Sequence, residues 1–350
     1  MRFDVMLTAA HKPGMSQADV YAYTDQMAGW AQDYGYTGLW LLEHHFTGYG
    51  TCPSAITYGS FLLGRYPRLR VGSAITVVPL DHPVGLAEKV SLLDHLSGGR
   101  FDFGVGRGTY VRDFDAFGAD MTQNHKTMIE TMDRVRECWT ADAITITSQT
   151  GVVSRVEVRP RPVADVPNVY VATGSPDTVD WARTNGYPLL LREGLGDDMK
   201  IGLIERYGES GDGAAGHALS CVAALAPTVE EARDRARDHL SWWIAEGANT
   251  NGLAERRSEL PNYERYFRAV DSGKRANPND PSPVVNRMLE LNPIGTVETC
   301  RERLLEVCTL TGIRHFIFGF EANPDGERTR EVMATFMTEV LQPVREQLGW

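Results

Sequence analysis

Apolar and polar positions along the chain switch repeatedly between two periods, alternation by two and recurrence every three or four residues. Residues 2–8 alternate as a strand. Ser16 then caps a helical pattern that runs to about residue 34 and stops at Gly35, where glycine commonly ends helices. Residues 38–42 form a second strand, Pro53 opens a helix to residue 66, and the β-branched run 69–78 is a third strand. A helix over 83–96 is broken by Ser97-Gly98-Gly99 before a strand at 100–105. Residues 106–121 read as loop by composition, and 124–139 as helix. Alternating runs at 143–148 and 152–158 predict a hairpin. Strands at 169–173, 188–192 and 217–226 then alternate with helices at 176–185, 195–207 and 229–246. A helix over 296–311, a strand at 314–320 and a terminal helix close the chain.

Eight strands, each followed by a helix, predict an α/β fold, a (β/α)8 TIM barrel rather than a doubly wound sheet. One domain over 1–350 is expected, since such barrels use 250 residues or more as a unit. Residues 247–292 are rich in Asn, Pro, Ser, Gly and charge, and are too long for a simple connector. They are expected to form a partly helical insertion, a mobile lid.

Composition narrows the partners. With 42% hydrophobic and 23% charged residues the chain has ample core material, and its net charge of −11 argues against nucleic acid or an anionic membrane as partner. Five cysteines, an odd number with no CxxC pair, suit reduced thiols better than disulfides or a metal cage. Neither a signal peptide nor an apolar run near the roughly 18 residues of a membrane span is evident, so a soluble cytoplasmic protein is expected.

In a barrel of this kind the chemistry sits just after each strand. The second strand ends in Leu41-Leu42-Glu43-His44-His45-Phe46, an acid and two imidazoles. Imidazole moves protons near neutral pH, though a loop histidine can equally serve packing. Neighbours on an extended segment point to opposite sides, so one of the two should face the mouth. The fourth strand leads into Gly106-Arg107-Gly108-Thr109-Tyr110, where Arg107 is either a phosphate fork or half of a surface ion pair. Thr173-Gly174-Ser175-Pro176-Asp177-Thr178 places hydroxyls at a helix start, suited to a phosphate or to plain capping. Tyr110, Phe114, Phe117, Trp242 and Trp243 could line an apolar pocket, but such spacing more often means core.

These residues carry a resemblance. The run from Leu41 to Phe46, His82-Pro83 to Glu88, Leu92-Leu93-Asp94 to Phe101, Gly106-Arg107-Gly108, Asp113-Phe114 to Gly118, Asn292 to Thr296 and Gly319 to Asn323 together resemble the bacterial luciferase family, the α subunit above all. The resemblance implies a two-component monooxygenase that takes reduced FMN from a separate flavin reductase, adds O2 to form a flavin 4a-hydroperoxide and oxygenates a small or medium aldehyde, ketone or secondary metabolite. By the same resemblance His44 is the catalytic histidine and Glu43 a neighbour of the flavin. Arg107, Ser175 and Thr178 are phosphate ligands, with Thr109 and Tyr110 on the same cofactor-binding rim. The Ala74-Ile75 bond falls where the family has a cis peptide beside the flavin. Helices 53–66 and 83–96 match the subunit interface, which implies a homodimer.

Departures from the family pattern bear on activity. Gly106 replaces a reactive cysteine, His125 a second phosphate-binding arginine, and Gly174 a glutamate at the flavin; Arg192 is a candidate for the missing charge. Light emission is therefore not expected. A deazaflavin-dependent oxidoreductase on the same fold and a non-catalytic flavin-binding protein are the competing readings.

Overall fold

The computed structural model describes residues 1–148, 151–272, 280–323 and 325–350. Eight parallel strands form its centre: β1 Arg2–Leu7, β2 Gly38–Leu41, β3 Arg70–Ser73, β4 Phe101–Gly106, β5 Asn168–Ala172, β6 Leu189–Leu191, β7 Ala218–Val222 and β8 His315–Gly319. They pair in the order β3-β2-β1-β8-β7-β6-β5-β4. Pairing of Val71 with Phe101 and Gly72 with Asp102 then joins β3 to β4 and closes the barrel, as the alternating pattern predicts.

Around it run α1 Gln17–Asp33, α2 Ala55–Arg65, α3 Pro83–Ser97, α4 Asn124–Thr140, α5 Pro176–Asn185, α6 Asp197–Tyr207, α7 Val229–Thr250 and α8 Val297–Thr311. The strands are buried on both faces and therefore read as nearly continuous apolar runs. Their outward side chains, such as Val5, Leu39 and Phe103, meet the helices in the main core.

Inside the barrel Trp40 is fully buried, and its ring lies 2.6 Å from where a Cβ on Gly72 would stand. At Gly104 a Cβ would fall 1.8 Å from the Ser73 carbonyl oxygen, so only glycine lets β3 and β4 approach so closely. Below Trp40 the strand starts bury a charged cluster. Arg2 contacts Asp4 and Asp102 at 2.6 Å each, Arg70 contacts Asp102 at 2.6 Å, and His315 Nε2 lies 2.8 Å from Asp4. The Trp40 indole N–H also donates to Asp4 at 2.8 Å. Burial alone would raise the Asp4 carboxyl, but Arg2 and His315 outweigh it and hold it well below the ordinary carboxylate range.

Several boundaries differ from the periodicity. The strand expected over 69–78 breaks at a cis Ala74–Ile75 bond, after which Thr76–Val77 pairs with the end of β4. The expected loop 106–121 contains a helix, Val111–Phe117, stopped by left-handed Gly118. The run 217–226 divides into β7 and a short strand, Ala224–Leu225, that pairs with Ile294–Gly295. The hairpin forms from Ile144–Ser148 and Gly151–Val156, and residues 149–150 of its turn lie outside the described residues.

The insertion is partly helical, through Glu264–Asp271 and Ser282–Leu291. Its Leu253, Leu260, Tyr263 and Phe267 are buried with Val77, Phe114 and Met121 over the barrel mouth. Residues 273–279 of the expected lid lie outside the described residues. All five cysteines are buried and free. Among the described residues no helix is long and apolar enough to cross a membrane.

Candidate active site

Glu43 is the buried brace of the site. Its Oε2 accepts the Ala55 N–H at the start of α2 (2.8 Å), and its Oε1 accepts the Val77 N–H just past the cis bond (3.1 Å). Helix-start N–H groups have no partner within the helix, so this carboxyl fixes α2 against the Ile75 wall. Burial pushes Glu43 up to about 7, with the two N–H groups opposing the shift. Each oxygen thus accepts one main-chain N–H.

His44 and His45 diverge, as alternation requires. The His44 main-chain N–H donates to the Cys52 carbonyl at 3.0 Å, and its ring Nε2 lies 2.8 Å from the Tyr49 hydroxyl. That hydroxyl is 2.5 Å from the hydroxyl of Tyr110, which makes a line of three side chains at the mouth. Burial, with a smaller contribution from the neighbouring His45, pushes the His44 imidazole down to about 3, so it is neutral at ordinary pH. Burial raises both phenols, which stay protonated. His45 turns outward and sets its ring 4.8 Å from that of Phe117.

A second group of residues gathers at the start of α5. Ser175 is the N-cap, yet its hydroxyl makes no capping bond. One turn on, the Thr178 Oγ1 lies 3.0 Å from His125 Nε2 on α4. Burial and the positive charge of Arg107 both lower the His125 pKa, against an opposing contribution from Asp177. The Arg107 guanidinium forms no ion pair among the described residues and lies 4.9 Å from the centre of the Tyr263 ring. Its loop is fixed by the Asn124 side chain, which donates to the carbonyls of Arg107 (3.3 Å) and Gly108 (3.0 Å).

Arg107, His125, Ser175 and Thr178 therefore combine a helix N-terminus, two hydroxyls, an imidazole and an unpaired cation, a donor set that fits a phosphate dianion. An ordinary cap would use the Ser175 hydroxyl, and an ordinary surface arginine would be paired. Arg192 is exposed beside Gly194, its charge adds to burial in lowering the Arg287 pKa, and no contact links it to Ser175, Thr178 or His125 among the described residues. Thr109 is partly exposed on the loop between Arg107 and Tyr110. The glycine at 106 has a steric reason, because a Cβ there would stand 2.8 Å from the Ile75 side chain. Any side chain at 106, cysteine included, would displace Ile75.

Sequence reasoning passed over three neighbours. Tyr49 sits between Gly48 and Gly50, where a Cβ on Gly50 would meet the His44 ring at 3.0 Å; five residues after His44, it was within sequence reach. His239 shares an i, i+3, i+4 face with Trp242 and Trp243 of α7, and that spacing was its signal. Asp113 is buried with its Oδ1 unpartnered among the described residues, and burial pushes it up to about 7. Its stretch, Asp113-Phe114 to Gly118, enters the sequence reading only as part of the family resemblance, with no role for the carboxyl.

Fold and site together define a parallel barrel with a neutral histidine and an anion cradle at the C-terminal strand ends. The model of the family described as luciferase-like monooxygenase matches residues 1–315, and the chain belongs to that family. It is 28% identical over 359 residues to an alkanal monooxygenase alpha chain from the Kryptophanaron alfredi symbiont, covering 99% of each chain. Among solved structures, the oxygenating constituent of 3,6-diketocamphane monooxygenase from Pseudomonas putida, a type II Baeyer-Villiger enzyme in complex with FMN, shares the fold. Its TM-score is 0.70 at 17% identity, covering 97% of this chain and 98% of that one. An F420-dependent secondary alcohol dehydrogenase in complex with an F420-acetone adduct does so too, at TM-score 0.68 and 15% identity over 98% and 99% of the two chains.

Proposed function

We propose that the chain is the oxygenating component of a two-component system, taking reduced FMN from a separate flavin reductase and using O2 to oxygenate a small or medium organic carbonyl compound or secondary metabolite. The observation that carries this reading is the meeting, at one barrel mouth, of an anion cradle at the α5 start with the neutral His44. Reduced flavin, when bound, supplies the electrons that activate O2.

The protein's own part is binding, orientation and proton handling. Arg107, His125, Ser175 and Thr178 would hold the phosphate, and Ile75, seated on Gly106 and braced through Glu43, would form a wall beside the ring system. His44 can accept or hold a proton at Nε2, with the Tyr49 hydroxyl on the same atom. Apolar residues of the insertion, Leu253, Leu260 and Phe267, keep water from that end of the mouth. Exposed Phe61 on α2 and Leu92 and Leu96 on α3 support the expected homodimer face.

The second reading, a deazaflavin-dependent oxidoreductase, is supported by the F420-dependent neighbour of the same fold. One experiment separates them: incubate the protein with reduced FMN or reduced F420, each with and without 18O2, across aldehydes, ketones and phenols. The monooxygenase reading expects a product carrying one labelled oxygen atom with FMN only. Hydride-transfer product with F420 and no oxygen requirement would replace it, and flavin binding with no product under any condition would favour a non-catalytic role.

A further inference from the structure

At the end of the barrel away from His44, a pocket opens between the starts of β5 and β6. It encloses about 600 Å³ of empty space, solvent at its opening included, and polar groups make up the larger part of what it exposes. Asn168 and Tyr170 of β5 line it, together with Asn185 and Tyr187 where α5 gives way to β6, and Arg136 of α4. The same two helices build the anion cradle with their opposite ends, His125 in the first turn of α4 and Ser175 at the cap of α5.

Arg136 is half-buried and held in place. Its Nη1 donates to the Asn185 side-chain oxygen at 3.1 Å, with longer contacts to the Asn185 carbonyl (3.4 Å) and the Tyr187 hydroxyl (3.5 Å). Its guanidinium lies 5.8 Å from the centre of the Tyr187 ring, and the Asn185 amide is itself fixed by donating to the Trp181 carbonyl at 3.0 Å. All of those guanidinium bonds use Nη1. Nε and Nη2, which form the flat edge that grips two oxygens at once, have no partner among the described residues. Nor does a carboxylate answer the charge there. Asp133, three residues earlier on α4, accepts the Trp181 indole N–H at 3.3 Å, and Asp102, bonded to the Asn168 amide, is held by Arg2 and Arg70. Capping the end of α5 accounts for Nη1 alone.

Candidate ligands fare differently in this setting. A cation would be repelled by Arg136. A phosphate dianion would meet a single cation, beside the C-terminal end of α5, whose dipole disfavours negative charge. A neutral amide brings one oxygen and no charge to the guanidinium. A carboxylate brings one charge and two oxygens, which match the free edge. The Tyr170 hydroxyl, unpartnered among the described residues, is a donor for a polar group elsewhere on such a molecule.

We propose that this pocket is a binding site for a small organic monocarboxylate, gripped by the Nε–Nη2 edge of Arg136 and separate from the barrel mouth. None of its residues takes part in the oxygenation reading, so the two stand or fall apart.

The test is isothermal titration calorimetry of the full chain without flavin, using benzoate, benzamide and inorganic phosphate. Benzoate is expected to bind with a Kd on the order of 1 mM or tighter, and benzamide at least about tenfold more weakly. Arg136→Gln should remove most of the benzoate binding. Asn185→Asp sets a carboxylate beside Nη1 in place of the amide oxygen, and by offsetting the guanidinium charge should weaken benzoate by at least about tenfold. Because it keeps the side-chain shape, it decides the matter if Arg136→Gln does not fold. Phosphate, which the cradle at the other end of α5 would hold, should bind Asn185→Asp as it binds the unaltered protein. The proposal is overturned by no benzoate binding up to about 10 mM, by benzamide binding as tightly as benzoate, or by benzoate affinity unchanged in Asn185→Asp. Phosphate affinity that falls with Asn185→Asp would overturn it too, by assigning the pocket to phosphate.

Discussion

At the lower end of the barrel Asp4 and Asp102 are wholly buried, yet each contacts cationic groups: Arg2 and His315 around one, Arg2 and Arg70 around the other. At the mouth, burial dominates the titration of His44, His239 and Asp113, and among the described residues none has an opposite charge in contact. Burial pushes both histidines down to about 3 and Asp113 up to about 7, so each favours its neutral form. A satisfied ionic cluster has no proton to exchange and serves shape. Neutral, desolvated groups beside an open cleft are those that can change protonation when a ligand arrives.

The contrast predicts that damage at the two ends will show in different observables. Asp102→Ala should cost the most, because it takes from Arg70 its carboxylate partner and leaves Arg2 with Asp4 alone. Loss of one partner from a buried pair costs about 3–5 kcal/mol, to be read from the urea unfolding midpoint. A cost near zero would mean the lower cluster is solvated and the comparison fails. His44→Ala should do the reverse, lowering turnover by about 10²–10⁴-fold with a smaller stability loss than Asp102→Ala. Comparable destabilisation with intact turnover would make His44 a packing residue.

Acid sharpens the picture further. His239 takes a proton near 6.5 when unfolded but only near 3 when folded, so the unfolded chain binds more protons as pH falls. The stability it contributes is therefore present above pH 6.5 and is lost as pH falls from 6.5 toward about 3. Against His239→Asn, the unaltered protein should lose roughly 1 kcal/mol more between pH 6.5 and 5.5, measured by denaturant titration at both values. Equal losses would show that this imidazole is hydrated. The smallest effect is expected from Tyr49→Phe, which removes the hydroxyl shared by His44 and Tyr110 at a cost of about 1 kcal/mol, or roughly fivefold in turnover.

Much of this was legible in the amino-acid sequence. Parallel strands buried on both faces leave continuous apolar runs, so strand count and helix alternation followed from periodicity together with turn residues and favoured a barrel, whose closure the β3–β4 pairing shows. The strand-end rule then marked the stretches holding His44 and His45, Arg107, Ser175 and Thr178, the resemblance chose His44 of the pair, and the structure brings Arg107, Ser175 and Thr178 to one edge of the mouth with His125.

Features with no periodic signature escaped. Periodicity alone gave no sign of the break at Ala74–Ile75, which the family resemblance supplied, and the helix Val111–Phe117 is short and flanked by Gly108 and Gly118. Trp242 and Trp243 read as core because an aromatic pair on a helix usually is. Only the fold shows that their face of α7 roofs a cleft and that His239 shares it. Arg192 sits at an adjacent strand end, with its side chain exposed.

The central claim, that the α5 start with Arg107 holds the phosphate of a flavin, is tested most directly by anaerobic titration with reduced FMN and reduced riboflavin, which differ only by that phosphate. The account predicts that FMN binds at least about tenfold more tightly and that Arg107→Ala removes most of the difference. Equal affinity for the two flavins, or an FMN advantage that survives Arg107→Ala, would contradict it.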